Sequence, residues 1–188
     1  MRLSLVFAVV IFLVSGCTFD LHPVPSNAVS AEQHSVALLK PLCSNISWNS
    51  DGHVRSLSLV GDNITDEHVN ALRDFSQLED LQLLSWSISD DSMKIVASLP
   101  KLTAVDVQYT KLTDHGIQHL SSSRSLQLVV LTGTSLTDEG LSSLAQIPTL
   151  SRIFVAQTSI TDDGVAAFAK QRPKCSVQRD DGRSKQSR

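Results

Sequence analysis

From Val54 onward the apolar positions recur with a fixed step of 24 residues, and five frames, starting at Val54, Leu78, Leu102, Leu126 and Leu150, align without an insertion. The fourth position of each frame is Leu57, Leu81, Val105, Val129 or Ile153, and the sixth is Leu59, Leu83, Val107, Leu131 or Val155. Apolar residues at alternate positions predict a strand with one buried face. A polar stretch follows, then an aliphatic residue, then Thr or Ser and an Asp: Asp66, Asp90, Asp114, Asp138 and Asp162. The hydroxyl residue suits a helix N-cap, and the carboxylate suits the positive end of the helix dipole. In the fourth frame Leu141, Leu144 and Ile147 mark one face of a short helix, and Pro148 stops it. Each frame thus predicts a strand, a turn and a helix. No such unit buries its own apolar side, so the units must stack into a solenoid with a continuous core.

The pattern Leu126-x-x-Val129-x-Leu131-x-x-Thr134-x-Leu136-Thr137-Asp138-x-Gly140-Leu141-x-x-Leu144 resembles the leucine-rich repeat. It is most similar to the cysteine-containing and ribonuclease-inhibitor-like subclasses. The resemblance runs from Val54 to about Val177. It implies an α/β fold: a right-handed curved solenoid of five 24-residue strand-turn-helix repeats, with a parallel sheet on the concave face. It also implies protein binding as the usual work. At the ninth position the family places Asn, Cys or Thr to bond neighbouring backbone. Thr110, Thr134 and Thr158 fit; Asp62 and Trp86 do not. An indole is too large for that slot, so the turn at Trp86 must bulge or point the ring outward.

The ends of the chain read differently. Leu3 to Val14 is almost wholly apolar behind Arg2, too short to span a bilayer but suited to a signal-peptide core. Val14-Ser15-Gly16-Cys17 resembles the bacterial lipobox, which implies cleavage after Gly16 and acylation of Cys17. Thr18 after the cysteine resembles the sorting signal for the outer membrane. The chain divides into a lipoprotein signal peptide over 1–16, a lipidated tether over 17–30 and an N-terminal cap over 31–53. The five repeats follow over 54–173, then a C-terminal cap strand over 174–180 and a disordered tail over 181–188. The N-terminal cap combines a short helix ended by Pro41 with a hairpin strand turning at Asn49 to His53. Such caps cover the open ends of a solenoid.

Removing residues 1–16 takes Arg2 away and moves the formal net charge from −3 to −4. That balance provides no basic face for nucleic acid. After Cys17 the cysteines are Cys43 and Cys175, one in each cap, too far apart to bond and expected as buried thiols.

Three constellations bear on chemistry. Stacking brings the Asp residues into a column that a Ca²⁺ row could neutralise, but helix capping accounts for all of them. His115 and His119 stand at i, i+4 on a helix, a metal-compatible spacing with no third ligand, and read as an exposed pair. No phosphate loop, nucleophile elbow or clustered catalytic carboxylates occur in the sequence. No cofactor, metal or small-molecule substrate is implied.

The concave-facing strand positions are more informative. The first three strands present mostly polar residues there. The last two present Leu128, Val130, Phe154 and Ala156 with Arg152 at the edge, and Tyr109 lies just beyond the third strand. An apolar patch with aromatics and an Arg has the composition of a binding hot spot. Equally, those two strands could pack against the C-terminal tail. The leading expectation is a non-enzymatic, lipid-anchored repeat protein of the bacterial cell envelope. It would bind another protein through Tyr109, Leu128, Val130, Arg152 and Phe154 and hold the membrane through Cys17. The alternatives are a self-associating structural envelope component and, with less behind it, a metal-dependent enzyme.

Overall fold

The computed structural model describes residues 29–179; the expected signal peptide, Cys17, most of the tether and the tail over 181–188 lie outside them. The chain opens with α1 (Val29–Leu39), a 3-10 turn over Lys40–Leu42, β1 (Cys43–Trp48) and β2 (Val54–Val60). Strands and helices then alternate: α2 (Asp66–Asn70), β3 (Asp80–Leu84), α3 (Ser92–Ser98), β4 (Ala104–Asp106), α4 (Asp114–Leu120) and β5 (Leu128–Val130). The last elements are α5 (Asp138–Leu144), β6 (Arg152–Phe154), α6 (Asp162–Gln171) and β7 (Ser176–Gln178). All seven strands form one sheet in chain order. β1 pairs antiparallel with β2, and every later pairing is parallel. Ser56 faces Asp80, Asp80 faces Ala104, Ala104 faces Leu128, Leu128 faces Arg152 and Arg152 faces Ser176. The pairing register therefore steps by 24 residues each time, which is the period of the sequence.

The inward positions, including Leu57, Leu81, Val105, Val129 and Ile153, and Leu59, Leu83, Val107, Leu131 and Val155, are all buried. They meet the apolar faces of the helices, so one core runs the length of the stack. Helix lengths depart from the sequence reading. α5 ends at Leu144, so Ile147 reaches the core from a turn instead of the helix. α3 starts only at Ser92, leaving Ser89 outside any cap. Pro41 does not end α1 abruptly either; it sits inside the 3-10 turn, where its missing N–H costs nothing.

The Asp column does more than face helix dipoles, which corrects the capping account. Asp90 Oδ1 accepts the Thr113 N–H at 2.9 Å and Asp90 Oδ2 accepts the Thr113 hydroxyl at 2.6 Å. Asp114 holds Thr137 in the same way, and Asp138 holds Thr161. Asp66 instead accepts the Ser89 N–H and the Ser92 hydroxyl. Each carboxylate thus ties its own repeat to the next. The ladder ends where Arg179 donates to Asp162 at 2.6 Å.

The ninth-position threonines do bond nearby backbone. Thr110, Thr134 and Thr158 donate to Val107, Leu131 and Val155, the carbonyls three residues back in their own turns. In the second repeat Ser85 takes the buried place, donating to the Ile64 carbonyl at 2.9 Å, and the adjacent Trp86 ring is 53% exposed.

Both ends are closed by polar contacts. Buried Glu32 of α1 accepts the Val54 N–H at 2.7 Å and meets His53 Nδ1 at 2.6 Å. At the far end the Arg172 guanidinium donates to the carbonyls of Ala145, Ile147, Pro148 and Leu150. Cys43 and Cys175 stand at opposite edges of the sheet, six strand spacings or roughly 29 Å apart. Cys175 is buried, and burial pushes its thiol up. Cys43 is only half-buried, against expectation.

Candidate protein-binding face

The strand positions that alternate with the core positions project from the open face of the sheet. One row of them crosses the molecule through the paired positions Ser58, Gln82, Asp106, Val130, Phe154 and Gln178. Its first half is a hydrogen-bonded ladder. The Ser44 and Ser58 hydroxyls lie 2.8 Å apart, and Ser58 donates to Gln82 Oε1 at 2.5 Å. Gln82 Nε2 donates to Asp106 Oδ2 at 2.9 Å, and Gln108 Nε2 reaches the same oxygen at 3.1 Å. The sequence showed these residues as polar but not as a bonded chain. Their shared repeat position, filled by a hydroxyl, an amide and a carboxylate in turn, was the available signal.

At Val130 the row turns apolar. Val130 faces Phe154 and Leu128 faces Arg152 on adjacent strands, so these four form a two-by-two patch. Leu128, Val130 and Phe154 are half-buried and Arg152 is exposed. Phe154 is half-buried, its ring only partly open to water. One expectation needs correction. Ala156 adds nothing, being buried. β7 lies beside β6 in the plane of the sheet and not across its face.

Tyr109 is 46% exposed but is not part of the two-by-two patch. It sits in the turn after β4 with φ 54°, and its ring lies against Gly133, itself at φ 71°. A Cβ on residue 133 would strike the ring, so glycine there serves both the left-handed turn and the ring above it. Trp86, Tyr109 and Val60 (46% exposed), all at or just past strand ends, are more exposed than Leu128, Val130 and Phe154.

An open depression of about 380 Å³ lies over β1–β5, lined by Ser58, Asp80, Gln82, Asp106, Leu128 and Val130 among others. It joins the polar ladder to the apolar patch. On the opposite, helical side, the His115 and His119 rings meet edge to face at 4.7 Å, and His119 Nε2 is buried without a partner. Burial lowers the His119 pKa, helped by the charges of Lys94 and His115. Among the described residues no three His, Cys, Asp or Glu side chains gather into a metal site, and no helix is long and apolar enough to cross a membrane.

A leucine-rich-repeat family model matches residues 122–145, which hold β5, α5 and the turn between them. Alternating strand-helix units around a parallel sheet complete the picture. The fold is the α/β leucine-rich-repeat solenoid. An internalin (inlF) of Listeria monocytogenes is similar over 73% of this chain at 24% identity and a TM-score of 0.51. This chain spans 39% of that internalin's length. Two looser likenesses are the actin-binding site 2 of leiomodin-1 and an internalin C2 of Listeria monocytogenes. The first has 11% identity over 83% of this chain and 80% of the other, with a TM-score of 0.43. The second has 12% identity over 85% and 88%, with a TM-score of 0.40. Both agree too loosely to bear on function. No curated protein matches the chain significantly. Solenoids of this kind serve in general as scaffolds for protein–protein interaction.

Proposed function

We propose that this chain is a non-enzymatic protein-binding module that meets its partner through the open face of the sheet. The observation that carries the reading is the patch of Leu128, Val130, Arg152 and Phe154, aligned on adjacent strands and flanked in plane, not covered, by β7. An aromatic and an arginine beside aliphatic side chains are the residue types that dominate binding energy. In this reading a lipid on Cys17 holds the module at the bacterial cell envelope, at the outer membrane in a two-membrane cell. The lipobox-like Val14-Ser15-Gly16-Cys17 supports that anchor.

The experiment is crosslinking and capture in the native cell with Phe154→Ala and Arg152→Glu. Phe154 is half-buried, so its truncation alone confounds packing with binding; Arg152 is exposed and separates the two. Both variants should lose the partner while Arg152→Glu keeps the wild-type melting temperature. Undiminished capture by both would reject the face. For the anchor, Cys17→Ser should move the protein out of the membrane fraction and leave its N-terminus without lipid mass. Unchanged partitioning and mass would sink the anchor.

A further inference from the structure

The depression over β1–β5 has walls of two kinds around a small floor. Asp80 faces Ala104, which faces Leu128; in the next row Gln82 faces Asp106, which faces Val130. Ala104, the smallest side chain of the group, leaves room between Asp80 on one side and Leu128 on the other, with Asp106 two positions along the same strand and Val130 beside it. No lysine or arginine lines the space. The nearby Arg55, whose charge is felt at Asp80, gives its Nε–H to Glu79 at 2.9 Å. Asp106 accepts only from the neutral side-chain amides of Gln82 and Gln108 and the Gln108 backbone N–H. Its negative charge is therefore held in place without a cation to offset it. A long cationic side chain fits this arrangement: its methylene stem can lie along Leu128 and Val130 while its head group reaches the carboxylates.

We propose that this well receives a lysine or arginine side chain from a basic segment of the protein partner, an inference that rests on the sheet being the binding face. Charge complementarity is the argument for that occupant. An acidic or neutral segment would leave Asp106 facing no counter-charge in a closed interface, which is costly.

The test uses the folded protein and a defined probe, a capped Ala-Ala-Lys-Ala-Ala peptide, with norleucine and glutamate replacing the lysine in two controls. Binding is read from backbone amide shifts of residues 80–82, 104–106 and 128–130. The lysine peptide should shift these amides, the glutamate peptide should not, and added salt should weaken the response. Asp80→Asn removes a charge that holds no side-chain hydrogen bond in the ladder, so the fold should survive; Kd should rise roughly five-fold. Equal responses to lysine and norleucine, or an Asp80→Asn protein that binds as the wild type does, would overturn the proposal. Either result would leave the face itself to stand or fall on Arg152→Glu capture.

Discussion

At the residue scale the aspartate column shows what a sequence repeat conveys and what it conceals. The invariant place of Asp66, Asp90, Asp114, Asp138 and Asp162 announces a repeated role, and a helix N-terminus is the nearest local explanation. The observed role is non-local: the first four carboxylates reach residues 23 to 26 positions further on, in the next repeat, and Asp162 reaches Arg179. Local spacing does not encode such a contact; only the stacked geometry does. The consequence can be titrated. The hydroxyl of Thr161, then its backbone N–H, holds the Asp138 carboxyl below its ordinary value. For Asp66 burial pulls upward, yet hydrogen bonds from Ser92 and Ser89 outweigh it and the net shift is down. A depressed carboxyl contributes stability that is complete above its unfolded pKa, near ~3.9, and is lost as pH falls through the folded value. Asp138→Asn removes the ionisable group, so its loss of melting temperature on acidification below about pH 4 should be shallower than the wild type's. Superimposable pH profiles would mean that the Asp138 clamp stores no charge-dependent stability.

At the element scale, alternating aliphatics made the strands legible, and their burial follows the period from Leu57 to Val155. Helix ends were less legible, because α3 and α5 are only seven residues long: Leu99 turns extended ahead of Pro100 to end α3, whereas α5 already ends at Leu144, short of Pro148. The binding face was half legible. Parity alone put Leu128, Val130, Arg152 and Phe154 on one side, but Tyr109 belongs to a turn that parity does not describe. The glycines of the helices show how clamp and helix depend on each other. A Cβ on Gly140 would overlap the Asp114 carboxylate and the Leu136 side chain. Asp114 cannot easily swing aside, since Thr137 holds both its oxygens. Gly→Ala within a helix gains about 1 kcal/mol of propensity, whereas forced overpacking costs about 1–3 kcal/mol. Gly140→Ala should therefore lose net stability, on the order of 1 kcal/mol, seen as a lower urea midpoint at unchanged m-value. A stabilised Gly140→Ala protein would show that the carboxylate yields without loss.

At the scale of the whole molecule the fold is close to one-dimensional, since each repeat touches mainly its neighbours and the ends decide how the stack frays. The N-terminal end is closed by a hairpin and by Glu32, which serves Val54 and His53 together. The C-terminal end depends on Arg172, a single side chain that satisfies carbonyls of four residues leading into β6. Hydrogen bonds from a charged donor are worth about 1.5–3 kcal/mol each when their loss strands a partner. Some of these carbonyls can turn to water, so the net loss for Arg172→Met should sit near the lower part of that range, about 2 kcal/mol. In an all-or-none domain that loss would appear everywhere. Here it should be local: amide hydrogen exchange should speed up in β6, β7 and α6 while β2 and β3, at the capped far end, keep their protection. Because the Arg152–Phe154 strand lies in the loosened region, its half of the binding patch should lose order with it, whereas Asp80 and Asp106 in the well should not. Uniform acceleration from β1 to β7 would show that the solenoid unfolds as one unit and that its two halves cannot be tuned apart.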